Sequence, residues 1–84
     1  MRLSYDQSRI SFTSDEPFFT KEKNGIKTNT VRQLGRQEID ALMNAVFHIQ
    51  DIEMICDDRS FTRLLCDISY YDDRFIFSWQ HREE

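Results

Sequence analysis

From Ile49 to Trp79 the chain alternates apolar and polar residues with period two, and that spacing predicts three consecutive strands. Ile52, Met54 and Cys56 share a face of the first, Thr62, Leu64, Cys66, Ile68 and Tyr70 a face of the second, and Phe75, Phe77 and Trp79 a face of the third. Asp57-Asp58-Arg59-Ser60 and Asp72-Asp73 separate them as short polar turns, so an antiparallel meander with one buried face is expected. Upstream the period changes. Between Arg36 and Phe47, Ile39, Leu42, Met43 and Val46 fall at i, i+3, i+4 and i+7, one stripe of an amphipathic helix. Gln37, Asp40 and Asn44 lie on its wet face, and Glu38 falls in the first turn, where the helix dipole favours a carboxylate.

The first third is less regular. Arg9 to Thr13 reads as a strand, and Thr13-Ser14-Asp15-Glu16-Pro17 supplies capping residues and a proline that open a short helix from about Glu16 to Asn24. Phe18 and Phe19 are expected to pack on the sheet, with Lys21, Glu22 and Lys23 facing water. Asn24-Gly25 is a turn signal, and Lys27 to Leu34 reads as a strand that ends at Gly35. Alternation places Lys27, Asn29 and Val31 on one of its faces and Thr28, Thr30 and Arg32 on the other. The order β-α-β-α-β-β-β defines an α+β domain: a small, curved, antiparallel-rich sheet or partial barrel on one main helix. Strand order does not follow from the pattern.

Eighty-four residues make a single domain with a modest core, which a homodimer would enlarge. The formal charge of −4 argues against a general nucleic-acid binder, yet it is unevenly spread. Residues 1 to 36 hold seven Lys/Arg against four Asp/Glu, and residues 37 to 84 hold four against eleven. Cys56 and Cys66 lie in apolar runs and read as buried thiols of a reducing cytosol. No apolar run approaches the length of a membrane span, and the start lacks a signal sequence, so a cytoplasmic protein is expected.

The candidate chemistry centres on Gly25-Ile26-Lys27-Thr28-Asn29-Thr30-Val31-Arg32. Preceded by an aromatic-bearing helix, this Gly-x-Lys-Thr-x-Thr-Val-Arg segment resembles the signature of ASCH (ASC-1 homology) domains over roughly Arg9 to Leu34. The resemblance implies a loop and strand that line a cleft for RNA or a modified nucleoside. It is also similar to the motif of a small bacterial N-acetylcytidine amidohydrolase, and there it implies catalytic roles at the positions of Lys27 and Thr30, with a glutamate from later in the chain. That glutamate has no clear counterpart here, and a helix stands where the family has a Gly-Asp turn and a strand. Glu38 and Glu53 are the candidates the residues offer, though the helix dipole accounts for the first and an outward strand position for the second. Lys27 and Thr30 point to opposite faces of a regular strand, so they converge only if Lys27 lies in the turn.

Three readings stay open. The first is a non-enzymatic binding module, of phage or prophage type, whose cleft is bordered by Lys21, Lys23, Lys27, Thr28, Thr30 and Arg32 and takes RNA or a modified nucleotide. The second is an acidic inhibitor that docks on a basic host or defence protein through Asp57, Asp58, Asp72, Asp73 and the tail pair Glu83-Glu84. The third is a minimal amidohydrolase using Lys27 and Thr30. Trp79, Tyr70 and Tyr71, with Arg63 and Arg74 beside them, are either core or a mixed aromatic and basic patch. No cofactor is expected. His48 and His81 stand apart without the ligand spacing of a metal site.

Overall fold

The computed structural model describes residues 1–82, which form six strands and two helices. In chain order these are β1 (Arg2–Leu3), β2 (Arg9–Thr13), α1 (Phe18–Lys23), β3 (Asn29–Arg32), α2 (Arg36–Ala45), β4 (Asp51–Cys56), β5 (Arg59–Tyr71) and β6 (Arg74–Trp79). The fold is α+β, with one mixed, mostly antiparallel sheet in the order β1-β2-β4-β5-β6-β3. β4, β5 and β6 form the expected meander. The short β1 is an addition to the expected order, and β2 runs parallel to β4, so α1, β3 and α2 make up the crossover between them. Among the described residues β3 pairs only with β6, at the far edge from β1.

The core lies on one face of this sheet. Ile10, Phe12, Ile52, Met54, Phe61, Phe75, Phe77 and Trp79 meet Phe19 of α1 and Leu42 of α2 there. Three core ring pairs, Phe12–Phe77, Phe19–Phe61 and Phe61–Trp79, are tilted or edge-on with centroids 4.8 to 6.1 Å apart, the arrangement the ring quadrupole favours. Phe12 on β2 touches Phe77 on β6 although two strands separate them in the sheet order, which requires strong curvature. The sheet nevertheless does not close. A seam remains between β2 and β3, bridged by Arg32, whose Nη2 donates to the Thr13 carbonyl at 2.7 Å while its guanidinium lies over Phe12.

Several expected faces are corrected. In β5 the register slips between Leu65 and Asp67, leaving Cys66 as the extra residue of a bulge. Before the bulge the inward residues are Phe61, Arg63 and half-buried Leu65; after it the phase moves by one and Ile68 turns toward the core. Leu64 and Cys66 are consequently exposed, so Cys66 is no buried thiol, and Tyr70, in phase with Ile68 but next to the β5–β6 turn, is exposed as well. Arg63 is buried over the Phe61 ring, whereas Arg74 is exposed near the β5–β6 turn, so the two do not make one patch. Of the two α1 phenylalanines Phe19 packs inward and Phe18 is exposed, and in α2 Met43 is exposed. That helix ends at Ala45, two residues earlier than its periodicity suggests.

The turns explain much of the acidic patterning. Asp72 and Asp73 are the two central residues of the β5–β6 hairpin, both at positive φ, the type I′ geometry that aspartate tolerates better than most residues. Asp57, also at positive φ, opens the β4–β5 hairpin. The two acidic turns stand at opposite ends of the thirteen-residue β5. Glu83 and Glu84 lie outside the described residues.

Between β1 and β2, Asp6 Oδ1 accepts from Ser8 Oγ at 2.7 Å, Ser4 Oγ at 2.8 Å and the Ser8 amide at 3.1 Å. These donors, those of Ser8 foremost, stabilise the carboxylate and lower its pKa to about 2. A depressed carboxylate pKa adds stability above the free value of about 3.9 that is lost as pH falls toward the folded value. The Ser8 amide resonance is therefore expected to titrate with a midpoint near 2. A midpoint near the free value would show that the three hydrogen bonds do not persist in solution.

Candidate functional site

The seam between β2 and β3 holds a cleft of about 390 Å³. Thr13, Ser14 and Asp15 line it from the end of β2, Phe18 and Glu22 from α1, and Lys27, Thr30, Val31 and Arg32 from the loop and strand that follow. Its formation begins with a helix stop. Asn24 ends α1 and Gly25, at φ +82°, reverses the chain in a conformation that disfavours any side chain. The ladder with β6 starts only at Asn29, so Lys27 lies in the turn and escapes the alternation that would point it away from Thr30. Lys27 and Thr30 then line one cavity.

The centre of the cleft is Glu22, which is 1% exposed. It falls three positions after Phe19 and therefore shares that residue's buried helix face, contrary to its expected place in water. Burying a carboxylate is costly unless it is paired and hydrogen-bonded. Ser14 Oγ donates to its Oε1 at 2.7 Å, and Lys27 Nζ donates to its Oε2 at 3.1 Å and also to the Asn29 carbonyl. Beside this pair, Arg32 Nε donates to Thr30 Oγ1 at 2.9 Å, which leaves the Thr30 hydroxyl hydrogen for another acceptor. Burial pulls the Arg32 guanidinium below its ordinary pKa and the charges of Glu22 and Asp15 pull the other way; starting so high, it stays a cation.

Two cations, Lys27 and Arg32, thus face two carboxylates, Glu22 and Asp15, across one cleft. Balanced charge suits a polar, uncharged ligand edge that carries both donors and acceptors better than a multiply charged anion. Half-exposed Phe18 adds an aromatic surface to the lining.

Lys21 and Lys23, exposed on α1, and Thr28, whose carbonyl accepts from the Trp79 amide, do not line this cleft. Glu38 accepts from the Gly35 amide at the start of α2, and this hydrogen bond lowers its pKa; Glu53 accepts from Ser11 Oγ across β2 and β4. Both candidate glutamates of the sequence are thus engaged in local structure, and the carboxylate beside Lys27 comes from the preceding helix. The cue available was the three-residue spacing of Phe19 and Glu22. Among the described residues no cluster of His, Cys, Asp or Glu could hold a metal ion, and no helix is long and apolar enough to cross a membrane.

The fold and the cleft define a class: a small α+β domain with an open six-stranded mixed sheet and a charge-balanced pocket at its seam. No family model, curated protein or solved structure matches the chain.

Proposed function

We propose that the seam cleft binds a single nucleobase, as a modified nucleoside or within an RNA segment, and that the protein is a binding module. The observation that carries this reading is the buried Glu22 carboxylate, oriented by Ser14 and Lys27 in a cleft that also holds Thr30 and Arg32. Glu22 would accept from an amino group, Arg32 and Thr30 would donate to ring or carbonyl acceptors, and Phe18 would stack on the base. Amide NMR with cytidine, N-acetylcytidine and short RNAs tests it. Saturable shifts are expected at Ser14, Glu22 and residues 27–32, and Glu22→Gln should weaken binding by about 10- to 100-fold, the value of a hydrogen bond to a charged group. Absence of any shift at millimolar ligand would end the reading.

A second reading, hydrolysis of an acetylated nucleoside, is favoured by one observation: a carboxylate does stand beside Lys27 and lines the same cleft as Thr30. Water would add to the acetyl carbonyl with Glu22 taking its proton and passing it to the leaving nitrogen as the C–N bond breaks, giving acetic acid, which ionises to acetate, and the free amine. Release of acetate from N-acetylcytidine, abolished by Lys27→Ala, separates this reading from binding alone.

A further inference from the structure

At the other end of β2 lies a second and larger cavity of about 600 Å³. Parallel pairing of β2 with β4 sets Arg9 opposite Asp51, antiparallel pairing of β4 with β5 brings Thr62, Arg63 and Leu64 alongside, and the chain leaving β6 adds Gln80, His81 and Arg82. Among the described residues, three arginines therefore line one concavity against one carboxylate, in a chain whose net charge is −4. The pairing is loose. Arg9 Nη2 is 3.7 Å from Asp51 Oδ2, beyond hydrogen-bond reach, and Arg9 Nε is shielded from water with no hydrogen-bond partner. Arg82 enters no ion pair among the described residues. The Arg63 guanidinium is held in the wall by donating to the carbonyls of Thr62 at 3.0 Å and Lys23 at 3.1 Å.

We propose that this cavity is a phosphate-binding site, with Arg9 and Arg82 as its principal contacts and Thr62, Gln80 and His81 as further polar partners. Guanidinium forks arriving from separate elements suit an oxyanion with several oxygens, which one carboxylate would not fill. A hydroxyl and an amide supply donors without adding charge, and converging cations in a concave wall focus a positive field. Its lining shares no residue with the seam cleft, and the two lie four residues apart along β2, about 13 Å at about 3.3 Å per residue. The Asn24 to Thr28 loop runs between them: a Cβ on Gly25 would meet the His81 ring at 2.6 Å, and two residues on Lys27 enters the cleft. A phosphate here could belong to a small metabolite or to a polynucleotide backbone.

The test is amide NMR on the full chain with pyrophosphate and, separately, with a uridine tetranucleotide lacking terminal phosphates, for the native protein, Arg9→Gln and Arg82→Gln. With one or the other ligand, saturable shifts are expected at Arg9, Thr62, Gln80 and His81. Each substitution should weaken binding at least about fivefold, and affinity should fall as salt rises. Saturation by the tetranucleotide at lower concentration than pyrophosphate assigns the site to a polynucleotide; saturation by pyrophosphate alone assigns it to a small phosphate compound. Shifts that grow linearly without saturating for both ligands, or binding unchanged in both variants, would overturn the proposal. Arg82→Gln lies in the exposed segment after β6 and keeps the test decisive if Arg9→Gln perturbs the sheet. The readout is separate from residues 27–32, so the two cleft proposals stand or fall independently.

Discussion

Glu22→Leu is expected to lower the unfolding free energy by roughly 2–4 kcal/mol in urea melts at neutral pH, a little under the roughly 3–5 kcal/mol for breaking a fully buried ion pair from one side. The substitution leaves Ser14 Oγ, itself buried, without its acceptor, and leaves Lys27 Nζ with only the Asn29 carbonyl. Lys27 keeps about a third of its side chain in water, so its ammonium can turn outward, and this holds the cost below the top of the range for such pairs. Adding Lys27→Met should recover most of the loss, because removal of both charges from a buried pair is often close to neutral. A double variant as unstable as the single one would place the cost in packing of the helix and exclude the ion pair as its source. The native-like double variant, with its cleft chemistry removed, is also the control in which nucleoside shifts at residues 27–32 should vanish.

Phe77→Ala should cost about 3–5 kcal/mol, the usual loss for emptying a fully buried aromatic site. A chain of this length has about 4–12 kcal/mol in total, so the variant would lie near the limit of folding at room temperature. The site is sensitive for a specific reason. Phe77 on β6 contacts Phe12 on β2, and Arg32 caps the other partner of that contact, so the ring helps hold the curved sheet with its seam narrow. Phe77→Leu, which keeps most of the volume, should cost less than half as much in the same melts. A loss under about 1 kcal/mol for the alanine variant would show that the sheet relaxes into the space, which close-packed interiors resist.

Much of the architecture was legible along the chain because it depends on local periodicity. Ile52, Met54 and Cys56, then Phe75, Phe77 and Trp79, are buried as their alternation predicts, since a regular strand offers no other way to bury one face. The same rule failed in β5, where the bulge at Cys66 shifts the phase by one residue. A strand thirteen residues long in a strongly curved sheet must absorb its bend somewhere, and the pattern of side chains alone does not mark the place. α2 was readable for the same periodic reason, whereas the six-residue α1 has too few turns to show a stripe, and this concealed Glu22.

The amino-acid sequence by itself determined the elements other than the two-residue β1, the α+β class, the hairpin turns at Asp57 and Asp72-Asp73, and the turn at Gly25. Each follows from φ/ψ preference or from hydrophobic period within a few residues. Only pairing with β6 starts β3 at Asn29 and leaves Lys27, expected inside the strand, outside the ladder. Tertiary structure alone decided that β2 runs parallel beside β4, that β3 is carried to the opposite edge, and that the seam between them brings Ser14 and Glu22 to Lys27, Thr30 and Arg32. Those juxtapositions depend on pairing across the whole sheet and on where its curvature stops short of closure, and no local pattern encodes either.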